Sequence, residues 1–448
     1  MSVVGRMTAT DSRMYWLSRR IHSDQFLLYA FDGELPDPEA SIARLLQRAR
    51  VVDGLSVRLR PTPWTVDYPY WVPTTVTREH VQVNATHRWD DCLDTMSAAL
   101  SAQVDPRVSP WKLHLYPSVS GVPGSTGPAS VVVLQISHAL ADGGGASAIA
   151  RQLFSAAVPT ARTPAVALPV ALAVVRGIVE FAPRVVSMTV RSRGAVTAAR
   201  RRDSDTASGI LPAPPAPRRL SELSRPPGGR TLVRCIVCPK EWLSNSLVSV
   251  TAAALLAVSV ALSEQFRTMR AGVPADLAAE VTVAIPEQHR TTAARNAFHN
   301  AGVDLHPNVD DLRARAEAIS RSLDERRRRL SHPAFGVGDR VTETVPAAIL
   351  RRDVDRADLT TPPTSVAGHT VVSSVNRGEA DLALDGHRVL MTAGFPALSP
   401  AVGVTHGVHG IGDVVTLTAV TSEAVLPDAD AYAERLRAAV ERVREALR

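Results

Sequence analysis

Apolar positions along this chain recur with two different periods, and the two alternate from one end to the other. Near Gln25 the run QFLLYAF is a strand signal, and ASIARLLQRAR after it has helical spacing. Val131 to Ile136 form a short run dense in β-branched residues, as in a strand buried on both faces. Behind it, Gly143, Gly144 and Gly145 permit a turn, and Ala146, Ile149, Ala150, Leu153 and Phe154 make a helical stripe. A second α/β unit starts at Thr231 with the strand TLVRCIVCP and the long apolar helix signal NSLVSVTAAALLAVSVALSEQF. The strand VTVAIP follows, then a helix with Leu312, Ala316, Ile319 and Leu323 on one face. Further strands are predicted at HTVVSSVN, HRVLMTAG and DVVTLTAVTS. The chain ends in a helix with Tyr432, Leu436, Val440, Val443 and Leu447 at helical spacing, and Asp428 is its N-cap.

Between these units the texture changes. Prolines accumulate from Val158 to Arg230, around an alanine- and valine-rich segment and the arginine cluster RSRGAVTAARRR. The expected organisation is therefore an N-terminal domain over 1–157, a connector over 158–230 and a C-terminal domain over 231–448. At 448 residues the chain exceeds what one hydrophobic core usually serves, which agrees with two domains. Within the connector, AVALPVALAVVRGIVEFAPRVV is interrupted by Arg176 and Glu180 and broken by Pro169 and Pro183. No uncharged run approaches the roughly 18 to 20 residues of a spanning helix. It reads either as a surface helix packed on the domains or as a helix at a lipid interface followed by its basic run.

Composition narrows the chemistry. Hydrophobic residues make up 45% and charged residues 21%, an ordinary globular balance. The net charge of +6 invites nucleic acid, but aromatics are only 4% and no helix-turn-helix or zinc-finger spacing is present, so no nucleic-acid partner is expected. The arginine clusters at Arg191–Arg202 and within ERRRRL are either solvated faces or attractors of an anionic partner, such as a phosphorylated cofactor or an acidic membrane surface. Three cysteines are too few and too odd in number for a disulfide framework, and MSVVGRMTATDSRMYW has no apolar signal core. The cytoplasm is the expected compartment. Cys235 and Cys238 form a CxxC inside a strand, where positions i and i+3 face opposite sides, and no second ligand pair accompanies them. Strand packing, with no metal, is the expectation.

One histidine stands out. His138 lies at the carboxyl end of the Val131–Ile136 strand, with Asp142 and the three glycines just behind it. Loops held at such an edge by a rigid scaffold are where reactive side chains reach a substrate. SHALADG resembles the HHxxxDG motif of the chloramphenicol acetyltransferase-like superfamily of acyl-CoA-dependent acyltransferases and peptide condensation domains. Within it the chain most resembles the wax ester synthase/diacylglycerol acyltransferase (WS/DGAT) family. The likeness extends to PYWVP, DPRVSPWKLHLY, AIPEQHRTTAARNAFHN and GHRVLMTAGFPALSP, so it covers nearly the whole chain. Ser137 stands in place of the first motif histidine, the asparagine-valine-proline-glycine segment is replaced by SSVNRG, and NSL at Asn245–Leu247 lacks the usual following aspartate.

The resemblance implies an α/β fold of two chloramphenicol acetyltransferase-like domains. Each would be a mixed sheet covered by helices, with an active-site tunnel between them. It implies acyl transfer from acyl-CoA, a substrate rather than a bound cofactor, to a hydroxyl acceptor such as a long-chain alcohol or diacylglycerol, as in triacylglycerol biosynthesis. His138 would be the general base, since neutral imidazole takes up a proton near working pH. Asp142 and Gly143 would shape the loop, with Arg290 as the ion-pair partner of Asp142, and Ser374 or Asn376 would donate to the thioester oxygen. Peripheral contact with a membrane or lipid droplet is also implied. Two alternatives stay open: a condensation-type enzyme forming amides or esters in secondary metabolism, and a noncatalytic lipid-binding relative.

Overall fold

The computed structural model describes residues 4–157, 167–290, 294–359 and 361–448. Two six-stranded mixed sheets, each covered by helices, form the body among these residues. The start of the expected connector, 158–166, lies outside the described residues.

The first sheet runs in the order Ala383–Leu384, His387–Gly394, Gln25–Phe31, Ala129–Ile136, Trp111–Val119, Val81–Val83. Ala129–Ile136 sits in its interior, paired antiparallel on both sides, and every residue of it is buried. That is why the run is apolar without alternation. The second sheet runs Phe298–Asp304, Ala278–Ala284, Thr370–Asn376, Thr405–Ile411, Val414–Ser422, Thr231–Pro239. Its helices include Val250–Thr268, which is apolar all round because it is buried almost all round. That helix is the one described element long and apolar enough to cross a membrane, and it is the core helix of this unit.

The two halves are not separate in sequence. The strand His387–Gly394 leaves the C-terminal half and pairs with Gln25–Phe31, so residues well inside 231–448 complete the first sheet. Its end meets the second sheet at very close range. A Cβ on Gly407 would lie 2.3 Å from the carbonyl oxygen of Gly394, and the Thr418 hydroxyl donates to that oxygen at 2.7 Å. Only glycine permits that approach. A shared core of Phe26, Leu28, Met391, Val233 and Val420 fills the space beside this crossing.

Local signals were otherwise followed closely. Asp428 caps the terminal helix through Ala431 N–H, and Ser249 caps the core helix through Ala252 N–H. Cys238 packs in the core of the second half and Cys235 against the shared core, the opposite faces that the CxxC spacing implied. All three cysteines are free. Pro183, in contrast, does not break its segment. The helix Val170–Ala207 runs through it for 38 residues, and Pro169 is the N-cap residue. Val179, whose carbonyl loses its N–H partner to Pro183, is 67% exposed, so continuing costs less than in a buried helix.

Candidate functional site

The glycines behind His138 are part of a helix rather than a turn. Helix Gly143–Phe154 starts at Gly143 with Asp142 as its N-cap, and none of the three glycines has a positive φ. Their small size serves packing instead. A Cβ on Gly143 would meet Val375 Cγ2 at 3.4 Å, so the first turn lies against the strand Thr370–Asn376 of the other half.

Between strand and helix, Ser137 to Ala141 form a tight turn. Ser137 is buried, and its hydroxyl oxygen accepts from Ala139 N–H while its carbonyl accepts from Leu140 N–H. The residue in place of the first motif histidine thus closes the turn by itself. Ala139 and Leu140 are buried in the first core, which leaves His138, half-buried, facing the seam between the halves.

Across that seam stands Asn296. His138 Nδ1 lies 3.0 Å from Asn296 Oδ1. The Asn296 amide nitrogen donates to the His138 carbonyl at 2.8 Å and to an Asp11 carboxylate oxygen at 2.9 Å. Both acceptors demand the NH2 end, so the amide oxygen must face Nδ1, and Nδ1 must carry the proton. In the neutral ring Nε2 then holds the free lone pair. Phe298 flanks the imidazole with ring centroids 5.8 Å apart.

Asp11 sits in the first turn of helix Ala9–Ser18, where the helix dipole favours a carboxylate. It is buried and also accepts from the N–H groups of Arg295 and Asn296. Burial pushes its carboxyl above the usual range, while these hydrogen bonds pull the other way. Asp142 grips the same segment from the other side. One of its oxygens accepts from Gly145 N–H at 2.8 Å, the other from Ala297 N–H at 3.1 Å, and its own N–H donates to the Arg295 carbonyl. Two carboxylates of the N-terminal half therefore clamp the tripeptide Arg295–Ala297 and present Asn296 to His138.

Burial also lowers the His138 pKa below the ordinary imidazole value, opposed by the Asn296 bond and the Asp142 charge. The depression favours the neutral ring.

The remaining expected residues are placed elsewhere. Arg290 is exposed and donates to the Ile285 carbonyl, and among the described residues Asp142 takes backbone partners in place of an arginine. The reason is its N-cap position, where free N–H groups already surround the carboxylate. Ser374 shares a hydrogen bond with the Thr251 hydroxyl at 2.9 Å, and exposed Asn376 accepts from Gly378 N–H, so neither is joined to His138. Asn296 lies inside the block AIPEQHRTTAARNAFHN, but Asp11, far up the chain, had no local signal. Among the described residues no group of three His, Cys, Asp or Glu side chains converges to hold a metal.

Asp142→Ala should lower both stability and activity, because it removes a helix cap worth about 1 kcal/mol and leaves Ala297 N–H unpaired. Chemical denaturation and turnover measured together check this. A fully stable but inactive variant would assign Asp142 to the chemistry instead.

Residues 295–444 match the model of the WS/DGAT C-terminal domain. No curated protein sequence matches the chain. Among solved structures, the wax ester synthase/diacylglycerol acyltransferase from Marinobacter aquaeolei VT8 superposes with a TM-score of 0.62 at 15% identity, covering 98% of this chain and 99% of that one. The first condensation domain of the CDA synthetase gives 0.59 at 14% identity, covering 100% and 98%. A mutant starter condensation domain of rhizomide synthetase, in complex with C8-CoA and Leu-SNAC, gives 0.56 at 13% identity, covering 99% and 94%. These likenesses establish the two-domain fold, and the segment carrying Asn296 falls inside the matched domain. The chain thus carries a WS/DGAT C-terminal domain over residues 295–444, on a two-domain fold shared with these structures.

Proposed function

We propose that the protein transfers an acyl group from acyl-CoA to the hydroxyl of an apolar acceptor, a long-chain alcohol or diacylglycerol, with His138 as the general base. The observation that carries this reading is the bond between His138 Nδ1 and Asn296 Oδ1, which leaves the Nε2 lone pair for substrate. The acceptor oxygen attacks the thioester carbon as Nε2 takes the hydroxyl proton. The tetrahedral intermediate then collapses, the carbon–sulfur bond breaks, and the imidazolium returns the proton to the departing CoA thiolate. No acyl-enzyme forms on this path, and no G-x-S-x-G elbow surrounds the motif.

The preference for a hydroxyl follows from the same base. An amine of similar size arrives as an ammonium and must first lose a proton in a site of low dielectric, which a hydroxyl need not do. Purified protein given a long-chain acyl-CoA should therefore release free CoA faster when a hydrophobic alcohol or diacylglycerol is added. A primary amine should stimulate release little. Thiol release for each acceptor, with products identified by mass, decides the matter. Amide formed preferentially from carrier-linked donors would favour a condensation enzyme. No acceptor-dependent release with any donor would favour a noncatalytic lipid binder.

A further inference from the structure

Helix Val170–Ala207 wears its amphipathicity inside out. Its only buried residues are Ala173 and Gly177. At Gly177 it crosses the loop before Tyr68 so closely that a Cβ would lie 2.4 Å from the Val66 carbonyl oxygen. The charged side chains of this half of the helix turn towards the body. Glu180 pairs with Arg6 at 2.5 Å and with Arg184 at 3.3 Å, and Arg184 also donates to the Glu343 carbonyl and lies over the Tyr68 ring.

The outward face is aliphatic. Leu172, Val175, Ile178, Val179, Val186 and Val190 are 54 to 67% exposed. At 3.6 residues per turn they project within about 120° of one another, in a stripe about 27 Å long. Among the described residues nothing covers it. Trp64, 88% exposed, emerges from the same loop that seats Gly177. A soluble surface helix places its polar face outward, so this arrangement calls for an apolar occupant.

Charge selects the occupant. Beyond Val190 the same face continues with exposed Arg193 and Arg200, flanked by exposed Arg191 and Arg201. From Val170 to Arg202 the only acidic residue is Glu180, which is already engaged by Arg6 and Arg184. The two acidic residues beyond the arginines, Asp203 and Asp205, pair with Arg202 and with Arg201 and His332, so a second copy would bring these arginines carboxylates that already have partners, whereas a lipid surface offers both acyl chains and phosphates. We propose that this face of helix Val170–Ala207, with Trp64, is a docking surface for an anionic lipid layer. The helix lies in the plane of the layer, its valines at the acyl boundary and its arginines on headgroup phosphates. Such a surface holds the enzyme where apolar substrates are dissolved. The inference stands on the helix face and not on the reaction, so its test reads binding alone.

The full chain is sedimented with vesicles of phosphatidylcholine and with vesicles of phosphatidylcholine mixed with phosphatidylglycerol. Binding should be at least about 10-fold tighter to the mixed vesicles and weaken with added salt. Val175→Glu/Val179→Glu should abolish it without unfolding the protein, because both side chains are already in solvent, and circular dichroism checks that. Arg193→Glu/Arg200→Glu should remove the preference for phosphatidylglycerol, and Trp64→Phe should remove the blue-shifted fluorescence seen on vesicle binding. The proposal is overturned if the chain binds neither vesicle, or if the valine variant binds as well as the native chain. It is equally overturned if the native chain is a dimer without lipid affinity that the valine variant converts to monomer, since a second copy would then cover the stripe.

Discussion

If His138 is the base proposed above, His138→Ala should lower acyl-transfer turnover by about 10²- to 10⁴-fold, the range expected for a positioned general base. The fold should survive, because the imidazole is half-buried and its loss leaves one acceptor, Asn296 Oδ1, without its partner, at about 1 to 3 kcal/mol. Native-like circular dichroism with lost CoA release checks both halves of the expectation. Near-normal turnover would remove His138 from the chemistry.

The pH dependence has a definite sign. Burial lowers the His138 pKa, so kcat/KM in the native protein should hold at neutral pH and fall only as pH drops through a value below the ordinary 6.5 or so of histidine. The same depression costs stability in acid. Below the unfolded value the denatured chain binds a proton that the native ring resists, so this contribution is lost as pH falls from that value towards the folded one. Buried His406, lowered to about 3, acts in the same direction.

Asp11→Ala should be the most destabilising single change at the site. Three donors, the N–H groups of Arg295 and Asn296 and the Asn296 amide, lose their acceptor at once. Each buried donor left unpaired costs about 1 to 3 kcal/mol, and partial relief from no longer burying a carboxylate leaves a net of about 3 to 5 kcal/mol. Activity should fall with it, because a freed Asn296 no longer fixes the His138 tautomer. Asp11→Asn retains an acceptor oxygen and should recover much of the stability. If Asp11 serves only packing, Asp11→Asn will have native kcat and a native pH profile. If it positions the base, kcat will fall with KM nearly unchanged and the acid limb will move.

The histidine and the segment that answers it differ in how they could be found. His138 stood out because a buried strand and a helix bracket it within a few residues, and local periodicity shows both. Asn296 carries a signal only as part of the stretch AIPEQHRTTAARNAFHN. Asp11 was invisible, since its partners lie 284 and 285 residues away and nothing in MTATDSRMYW distinguishes a buried clamp from an ordinary helix N-terminus. Arg290, chosen as the ion-pair partner of Asp142, was the natural choice when charge alone is weighed. The structure satisfies that carboxylate with backbone donors, which leave no trace in residue type.

By itself the sequence determined many of the secondary elements, the α/β class and the histidine at a strand end. These rest on spacing, capping and turn chemistry that act over a few residues. The strand Thr405–Ile411 has little local signal because its glycines weaken any strand pattern, and their purpose is legible only where Gly407 meets Gly394 across the sheets. Tertiary structure alone decided that His387–Gly394 completes the first sheet, that the motif glycines make room for Val375, and that Asp11 and Asp142 together hold Asn296 against His138. It also decided which way helix Val170–Ala207 faces. An amphipathic pattern states that a helix has two faces, and only the body it packs on settles which one is left in the solvent.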